Sequence, residues 1–290
     1  MPATTETAAG LVLPPSARTR FAPAPTGFLH LGHVANAIWV WGAARIAGAT
    51  VLLRIEDHDQ QRSRAIFDAA IREDLAWLGF VPDGVPVRQT DPDALDAYAT
   101  ALARLTGDGL VYRCSCTRTT FAAWAREHAA HWSGPGCPGV CRTLALPGDA
   151  VTSLRVALGA GTEAFEDVLL GPQTGDPSPT GDLVVRDRDG NWTYGFAVVV
   201  DDLRQDIDLV VRGEDLLDDT ARQIRLSQLL GRDSPPQFLH HPLVRATSGR
   251  KLSKSDDATG VRDLRAAGWS PGRVRREAAR LGLVPAAWTS

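Results

Sequence analysis

The chain has 290 residues, a net charge of −3, 44% hydrophobic and 22% charged residues, and four cysteines. That is ordinary globular composition, long enough for one or two domains with a sizeable core. The charge excludes a surface coated in basic residues for nonspecific nucleic-acid binding, and no apolar stretch approaches the roughly 20 residues that span a bilayer.

Residues 1–17 are small, polar and proline-containing, with neither a cationic start nor an apolar run, so they read as a disordered lead without a signal peptide. The cytoplasm is the expected compartment, with no membrane partner. The stretch Arg20-Phe-Ala-Pro-Ala-Pro-Thr-Gly-Phe-Leu-His-Leu-Gly-His33 follows. Its alternate prolines hold the backbone extended, Thr26-Gly27 signals a turn, and the apolar run Val34–Ile46 predicts a buried helix. His30 and His33 then fall near the first turn of that helix, where backbone N–H groups and the dipole favour a phosphate. Helix caps or packing residues are the plainer use of such a pair.

Ala49–Ile55 is a β-branched run suited to a buried parallel strand, with Glu56-Asp57 at its carboxyl end, where open α/β sheets bind ligands. Ile71, Leu75 and Leu78 share one helical face, as do Leu95, Tyr98, Leu102 and Leu105, with Asp93 as a cap and Gly107 and Gly109 closing the second helix. All four cysteines lie in one window, as Cys114-x-Cys116 and Cys137-x3-Cys141. In an apparently cytosolic chain such clustering points to metal more than to disulfides, and four thiolates make a closed structural zinc site, one Zn2+ per chain. Reduced cysteines without metal are the alternative, and His128 and His131 are competing ligands.

From Asp149 to Ser178 the scattered apolar residues, Gly and Pro read as a small insertion between two halves of a parallel sheet. Strand patterns return at Leu183–Arg186, Thr193–Val200 and Leu209–Gly213, followed by a helical stretch over Thr220–Leu230. A loop then carries Lys251-Leu-Ser-Lys-Ser255, and an arginine-rich helical stretch holds Arg273, Arg275, Arg276 and Arg280. From Arg245 to Ser290 ten Lys/Arg face four Asp/Glu, a local balance of +6.

The His30-Leu-Gly-His33 and Lys251-Leu-Ser-Lys-Ser255 stretches together resemble the two signatures of class I aminoacyl-tRNA synthetases. The Arg20-Phe-Ala-Pro lead-in, Arg54-Ile-Glu-Asp57, Tyr194 with Val199-Val-Asp-Asp202, and Val211-Arg-Gly-x-Asp215 narrow the resemblance to the glutamyl branch. It implies a Rossmann-type α/β catalytic domain with a parallel sheet, divided as 18–112 and 181–245 around a zinc-bearing insertion at 113–180. The remainder, 246–290, holds the lysine loop and a short C-terminal helical stub. It further implies adenylation of an amino acid with ATP and Mg2+. His30, His33, Lys251 and Lys254 would be catalytic, with Lys254 meeting the transition state. Pro23, His30, Gly32, His33 and Lys254 would bind ATP. Arg20, Ala22, Ala24, Glu56, Tyr194 and Arg212 would bind L-glutamate, Glu56 on its ammonium and Arg212 on its side-chain carboxylate.

Only 35 residues follow Ser255, too few for an anticodon domain. The chain therefore most resembles the truncated glutamyl-queuosine tRNA(Asp) synthetase family, which esterifies glutamate onto queuosine in the anticodon stem-loop of tRNA(Asp). A monomer is expected. Three departures stand out. Ala24 replaces the family's Ser, Gly195-Phe196 differ from the common pattern, and Cys137 stands where that family has Tyr. An aminoacyl-adenylate ligase with a non-tRNA acceptor or another amino acid is the alternative, and a non-catalytic binding module is a third reading.

Overall fold

The computed structural model describes residues 17–128, 134, 136–244 and 260–289. Its elements run β1 (Arg18–Phe21), α1 (Leu31–Ala47), β2 (Thr50–Ile55), α2 (Ala65–Leu78), β3 (Val87–Arg88) and α3 (Pro92–Gly107). Then come β4 (Val111–Cys114), α4 (Arg118–His128), β5 (Ser153–Val156), β6 (Glu163–Asp167), β7 (Gly171–Gly175) and β8 (Leu183–Arg186). The chain continues through α5 (Tyr194–Arg204), β9 (Leu209–Gly213), α6 (Thr220–Leu229), β10 (Gln237–His241), α7 (Val261–Ala266) and α8 (Pro271–Leu281).

Strands β1, β2 and β3 pair in parallel, in that order. Strand β9 pairs in parallel with β10, which pairs in parallel with β6, and β7 closes that edge antiparallel. The two groups meet at β1 and β9, where the Asp208 N–H donates to the Arg18 carbonyl at 2.9 Å. The chain thus runs outward one way from β1 and the other way from β9. Their boundary is the topological switch point, where doubly wound sheets open a ligand crevice.

Helix α1 covers this boundary. It is buried over most of its circumference, packed on β1, β2 and β9 on one side and α8 on the other, so its sequence shows a continuous apolar run instead of a stripe. It ends at Gly48, whose φ of 68° is the left-handed cap that Gly adopts without steric cost. The arginine-rich stretch forms α8, which packs against α1 through Val274, Ala278 and Ala279. Trp288 follows, so close to Gly42 that a Cβ there would lie 2.7 Å from its carbonyl oxygen.

Two sequence expectations change. Thr193–Val200 is not a strand: Tyr194–Arg204 is helix α5, with Thr193 at its N-cap. Its Phe196–Val200 run is buried on all sides by α3, β8 and α6, and a short apolar run looks alike in a buried strand and a buried helix. Second, 149–178 holds three strands, and β6 joins the edge of the β9–β10 sheet. Strands β4, β5 and β8 form a separate antiparallel sheet that carries the cysteine segment. The second amphipathic helix, α3, has Asp91 as its N-cap residue and Asp93 within its first turn.

Candidate functional site

The loop after β1 crosses the carboxyl ends of β1 and β2. The Pro23 carbonyl accepts the Glu56 N–H at 3.0 Å, and the Ala24 carbonyl accepts the Thr26 N–H at 2.8 Å. Pro23 is buried, Ala22 half-buried and Ala24 exposed. The segment then enters α1 through His30, its N-cap residue. His30 Nδ1 accepts the Gly32 N–H at 3.1 Å, and His33 Nδ1 accepts the His30 N–H at 3.1 Å. The ring centroids are 3.9 Å apart. The capping expectation is therefore met, and it carries a chemical consequence. With both Nδ1 atoms accepting, each neutral ring bears its proton on Nε2 and is a donor there.

At the switch point the charged side chains interlock. Arg54 is completely buried, and its Nη1 donates to Asp202 at 2.7 Å and to Gln205 at 3.1 Å, while Nη2 donates to Glu56 at 3.2 Å. Burial opposes its charge, but Asp202, Glu56 and Asp201 hold it firmly protonated. Arg20 Nε donates to the same Asp202 oxygen at 3.0 Å, and Arg20 Nη1 spans β1 to β9 by donating to the Val211 carbonyl at 3.3 Å. Burial raises the pKa of Glu56, with Arg54 and Arg20 opposing the rise. Burial and the nearby Glu56 charge push the Tyr194 phenol up to about 12, so it stays a neutral donor.

Arg212 faces this group from β9. Its Nε donates to His240 Nε2 at 3.0 Å, Nη1 to Gln223 at 2.5 Å and Nη2 to Thr220 Oγ1 at 2.7 Å. All three acceptors are neutral, and among the described residues no carboxylate forms an ion pair with Arg212. Burial, with Arg20 as a second cause, lowers its pKa. His240 is fixed in turn by Asp167: its Nδ1 lies 2.7 Å from Asp167 Oδ2, leaving Nε2 as the acceptor that Arg212 uses. Asp201 is a further buried carboxylate, held by Gln89 at 2.8 Å, Tyr98 at 2.8 Å and Arg204 at 2.7 Å.

Arg20, Glu56, Tyr194 and Arg212 therefore gather at one crevice, and the histidine pair caps the helix that lies over it. Lys251 and Lys254 lie outside the described residues, as do Ser255 and His131. The described residues on either side of them do meet the histidine segment. Gly260 pairs with His30 as a bridge, the Val261 N–H donates to the Leu29 carbonyl at 2.8 Å, and Val244 lies beside Gly32. Sequence reasoning gave no role to Arg54, Asp202, Asp167 or His240. Arg54 and Asp202 stand inside quoted motifs, whereas Asp167 and His240 carry no local signal.

The cysteines converge. The four sulfur atoms lie within 4.8 Å of one another, with Cys116 Sγ 3.4 Å from Cys141 Sγ and 3.9 Å from Cys137 Sγ. Hydrogen bonding from Cys114 holds the Cys137 thiol down to about 4, although burial opposes this. Such a set could hold a metal ion in a closed site. His128 turns away and stacks on Trp124. The knuckle is pinned to the start of β8, where the Asp182 N–H donates to the Cys137 carbonyl at 2.7 Å and the Gly136 N–H to the Thr180 carbonyl at 2.7 Å. A Cβ on Gly136 would lie 2.4 Å from Gly181, so only glycine permits this approach.

Residues 16–289 match the family model of the class I tRNA synthetase (E and Q) catalytic domain. The chain is 42% identical to a glutamyl-Q tRNA(Asp) synthetase of Symbiobacterium thermophilum, covering 91% of this chain and 86% of that one. It is 39% identical to glutamate–tRNA ligase 1 of Alkalilimnicola ehrlichii, covering 91% of this chain, and it spans 56% of that protein's length. Among solved structures, a glutamate tRNA ligase of Elizabethkingia meningosepticum in complex with its amino acid superposes with a TM-score of 0.69 at 28% identity, over 88% of this chain and 53% of that one. With its parallel sheet, its switch-point crevice and these relatives, the chain belongs to the class I tRNA synthetases of the E and Q kind and, among them, to the glutamyl-Q tRNA(Asp) synthetase family.

Proposed function

We propose that this chain activates L-glutamate with ATP and transfers it to the queuosine base in the anticodon of tRNA(Asp). The observation that carries the reading is the meeting of Arg20, Glu56, Tyr194 and Arg212 at the β1–β9 switch point, beside the histidine-capped end of α1. Arg212 holds its charge among neutral acceptors, which is the environment a ligand carboxylate would complete with two aligned hydrogen bonds. Glu56 is the partner for the ammonium, and Tyr194 is a neutral donor between them.

Adenylation joins the glutamate α-carboxylate to the α-phosphate of ATP and releases pyrophosphate. Charge grows on the phosphoryl oxygens, so prepositioned donors are the main catalytic tool. The Nε2–H groups of His30 and His33 supply two such donors, and Lys251 and Lys254, between Val244 and Gly260 in the chain, supply cations. Pro23 and Gly32 line the same nucleotide path, with Mg2+ accompanying ATP. Zinc is the ion proposed for the knuckle. A tetrahedron of Zn–S bonds near 2.3 Å sets sulfurs about 3.8 Å apart, and the observed spacings bracket that value. The chain acts as a cytoplasmic monomer in this reading.

The choice of acceptor leans on relatives named for it that this chain matches over most of their length. Labelled glutamate and ATP, incubated with bulk tRNA from queuosine-containing and queuosine-lacking cells, test it directly. Label on the queuosine nucleoside of the first pool alone is expected. Equal labelling of both pools, released as an ester of the terminal adenosine, would make the chain an ordinary charging enzyme.

A further inference from the structure

A cavity of about 250 Å3 lies between the cysteine knuckle and the glutamate-binding candidates, walled by Gly136, Arg155, Tyr194, Asp219, Arg222 and Gln223. Arg155, on β5, is 4% exposed, and Arg222, on α6, is 8% exposed. Arg155 Nη1 donates to the Asp182 carbonyl at 2.7 Å, and Arg222 donates to Asp219 at 3.2 Å and weakly to the Gly181 carbonyl at 3.4 Å. The Nε of each guanidinium is buried without a partner among the described residues.

The neighbouring carboxylates relieve these charges only in part. Asp182 is engaged by Arg142 at 2.6 and 2.8 Å and by the Tyr112 hydroxyl at 2.6 Å. The Asp219 side chain is 45% exposed and, among the described residues, pairs only with Arg222. Burial lowers the pKa of Arg222, Asp219 opposes the fall, and Arg155 adds to it. Two buried cations thus share a cavity with one half-exposed carboxylate, and buried charge of one sign is costly until an opposite charge arrives.

We propose that Arg155 and Arg222 form an anion subsite that holds a backbone phosphodiester of the acceptor RNA, next to the nucleotide that receives the glutamyl group. The inference rests on the function proposed above. The cavity shares Tyr194 with the glutamate-binding candidates, and its Gln223 also accepts from Arg212. An anion bound there would lie beside the activated acyl group, and a polynucleotide carries a phosphate on each side of every base. Fixing that phosphate lets the base swing out of its stack toward the reacting carbonyl. Arginine suits the task because its fork matches phosphate oxygens in pairs.

The test compares two reactions of the zinc-loaded full chain: glutamate-dependent pyrophosphate exchange, and transfer to a queuosine-containing anticodon stem-loop. Arg222→Gln and Arg155→Gln should leave exchange within about twofold, because neither guanidinium hydrogen-bonds Arg20, Glu56, Tyr194 or Arg212. Each should raise KM for the stem-loop on the order of tenfold or more. The salt dependence of transfer should flatten by about 0.7 in log–log slope, the loss of one single-strand phosphate contact. A measurement on the unmutated enzyme guards against misfolded variants. A methylphosphonate at one of the two phosphates flanking the queuosine should cause a similar loss, and that loss should vanish in Arg222→Gln.

Neutrality of both methylphosphonates would overturn the subsite while leaving the function intact. A raised glutamate KM in exchange would do the same, by assigning the cavity to the amino acid. A wild-type enzyme without glutamate-dependent exchange, or without transfer to the stem-loop, would sink the functional reading and the subsite with it.

Discussion

The switch-point crevice and the cysteine knuckle are built on opposite principles. In the crevice, Arg54, Asp202, Arg20 and Glu56 come from three separate segments and are held by hydrogen bonds of 2.7–3.2 Å under α1 and α5. The chain's own core orders them. The knuckle has as its core three buried cysteines, with Tyr112, Cys116 and Phe121 packed around them. That apolar area is too small to offset the entropy of ordering the segment. One region is preorganised by folding, and the other needs an ion to complete its cross-link.

The sharpest way to break this contrast is Arg54→Met. It leaves Glu56, Asp201 and Asp202 facing an apolar side chain, which should cost about 3–5 kcal/mol of unfolding free energy, read from urea denaturation. A loss below about 1 kcal/mol, the scale of an exposed ion pair, would mean that packing and not charge orders the crevice.

A smaller effect comes from a buried carboxylate that this pairing does not reach. Asp74, on α2, is fully buried, with neither oxygen hydrogen-bonded among the described residues. Burial raises its pKa from 3.8 to about 6. For an acid with a raised folded-state pKa, the native state gains at low pH. That contribution is fully present below the unfolded value near 3.8 and is lost as pH rises through about 6. Asp74→Asn should therefore add about 2 kcal/mol at pH 8 and little at pH 4. Equal effects at both pH values would show that Asp74 is already paired.

The crevice was largely legible in sequence because its ligand candidates sit in short motifs at strand ends. Arg20 follows the start of β1, Glu56 follows β2, and Arg212 closes β9. Helix α1 announced itself by an apolar run and a glycine. What sequence could not show was pairing across distance. Asp167 reaches His240 across 73 positions, and Arg54 reaches Asp202 across 148. Such contacts leave no periodic trace, since they are set only when the sheet closes. Helix α5 was lost for a different reason: its Phe196–Val200 run is buried throughout, so no polar residue breaks it to mark a helical period. Arg155 sits in a segment that reads as an insertion and Arg222 in one that reads as a helical stretch, and only their convergence on one cavity gives them meaning.

The knuckle supplies the smallest expected effect on adenylation and the most informative one. Prolonged chelation should release about one zinc per chain and make the four thiols titratable. Exchange should then stay within about threefold of the loaded enzyme, because sites without shared partners couple by about 0.5 kcal/mol. Transfer to RNA should fall further, since Gly136 of the knuckle walls the cavity of Arg155 and Arg222. Limited proteolysis should open the chain between Cys116 and Cys141 and leave the α1–α8 core intact. If exchange collapses together with transfer, the metal supports the crevice as well. The two regions would then form one cooperative unit, and the contrast drawn from their cores would fail.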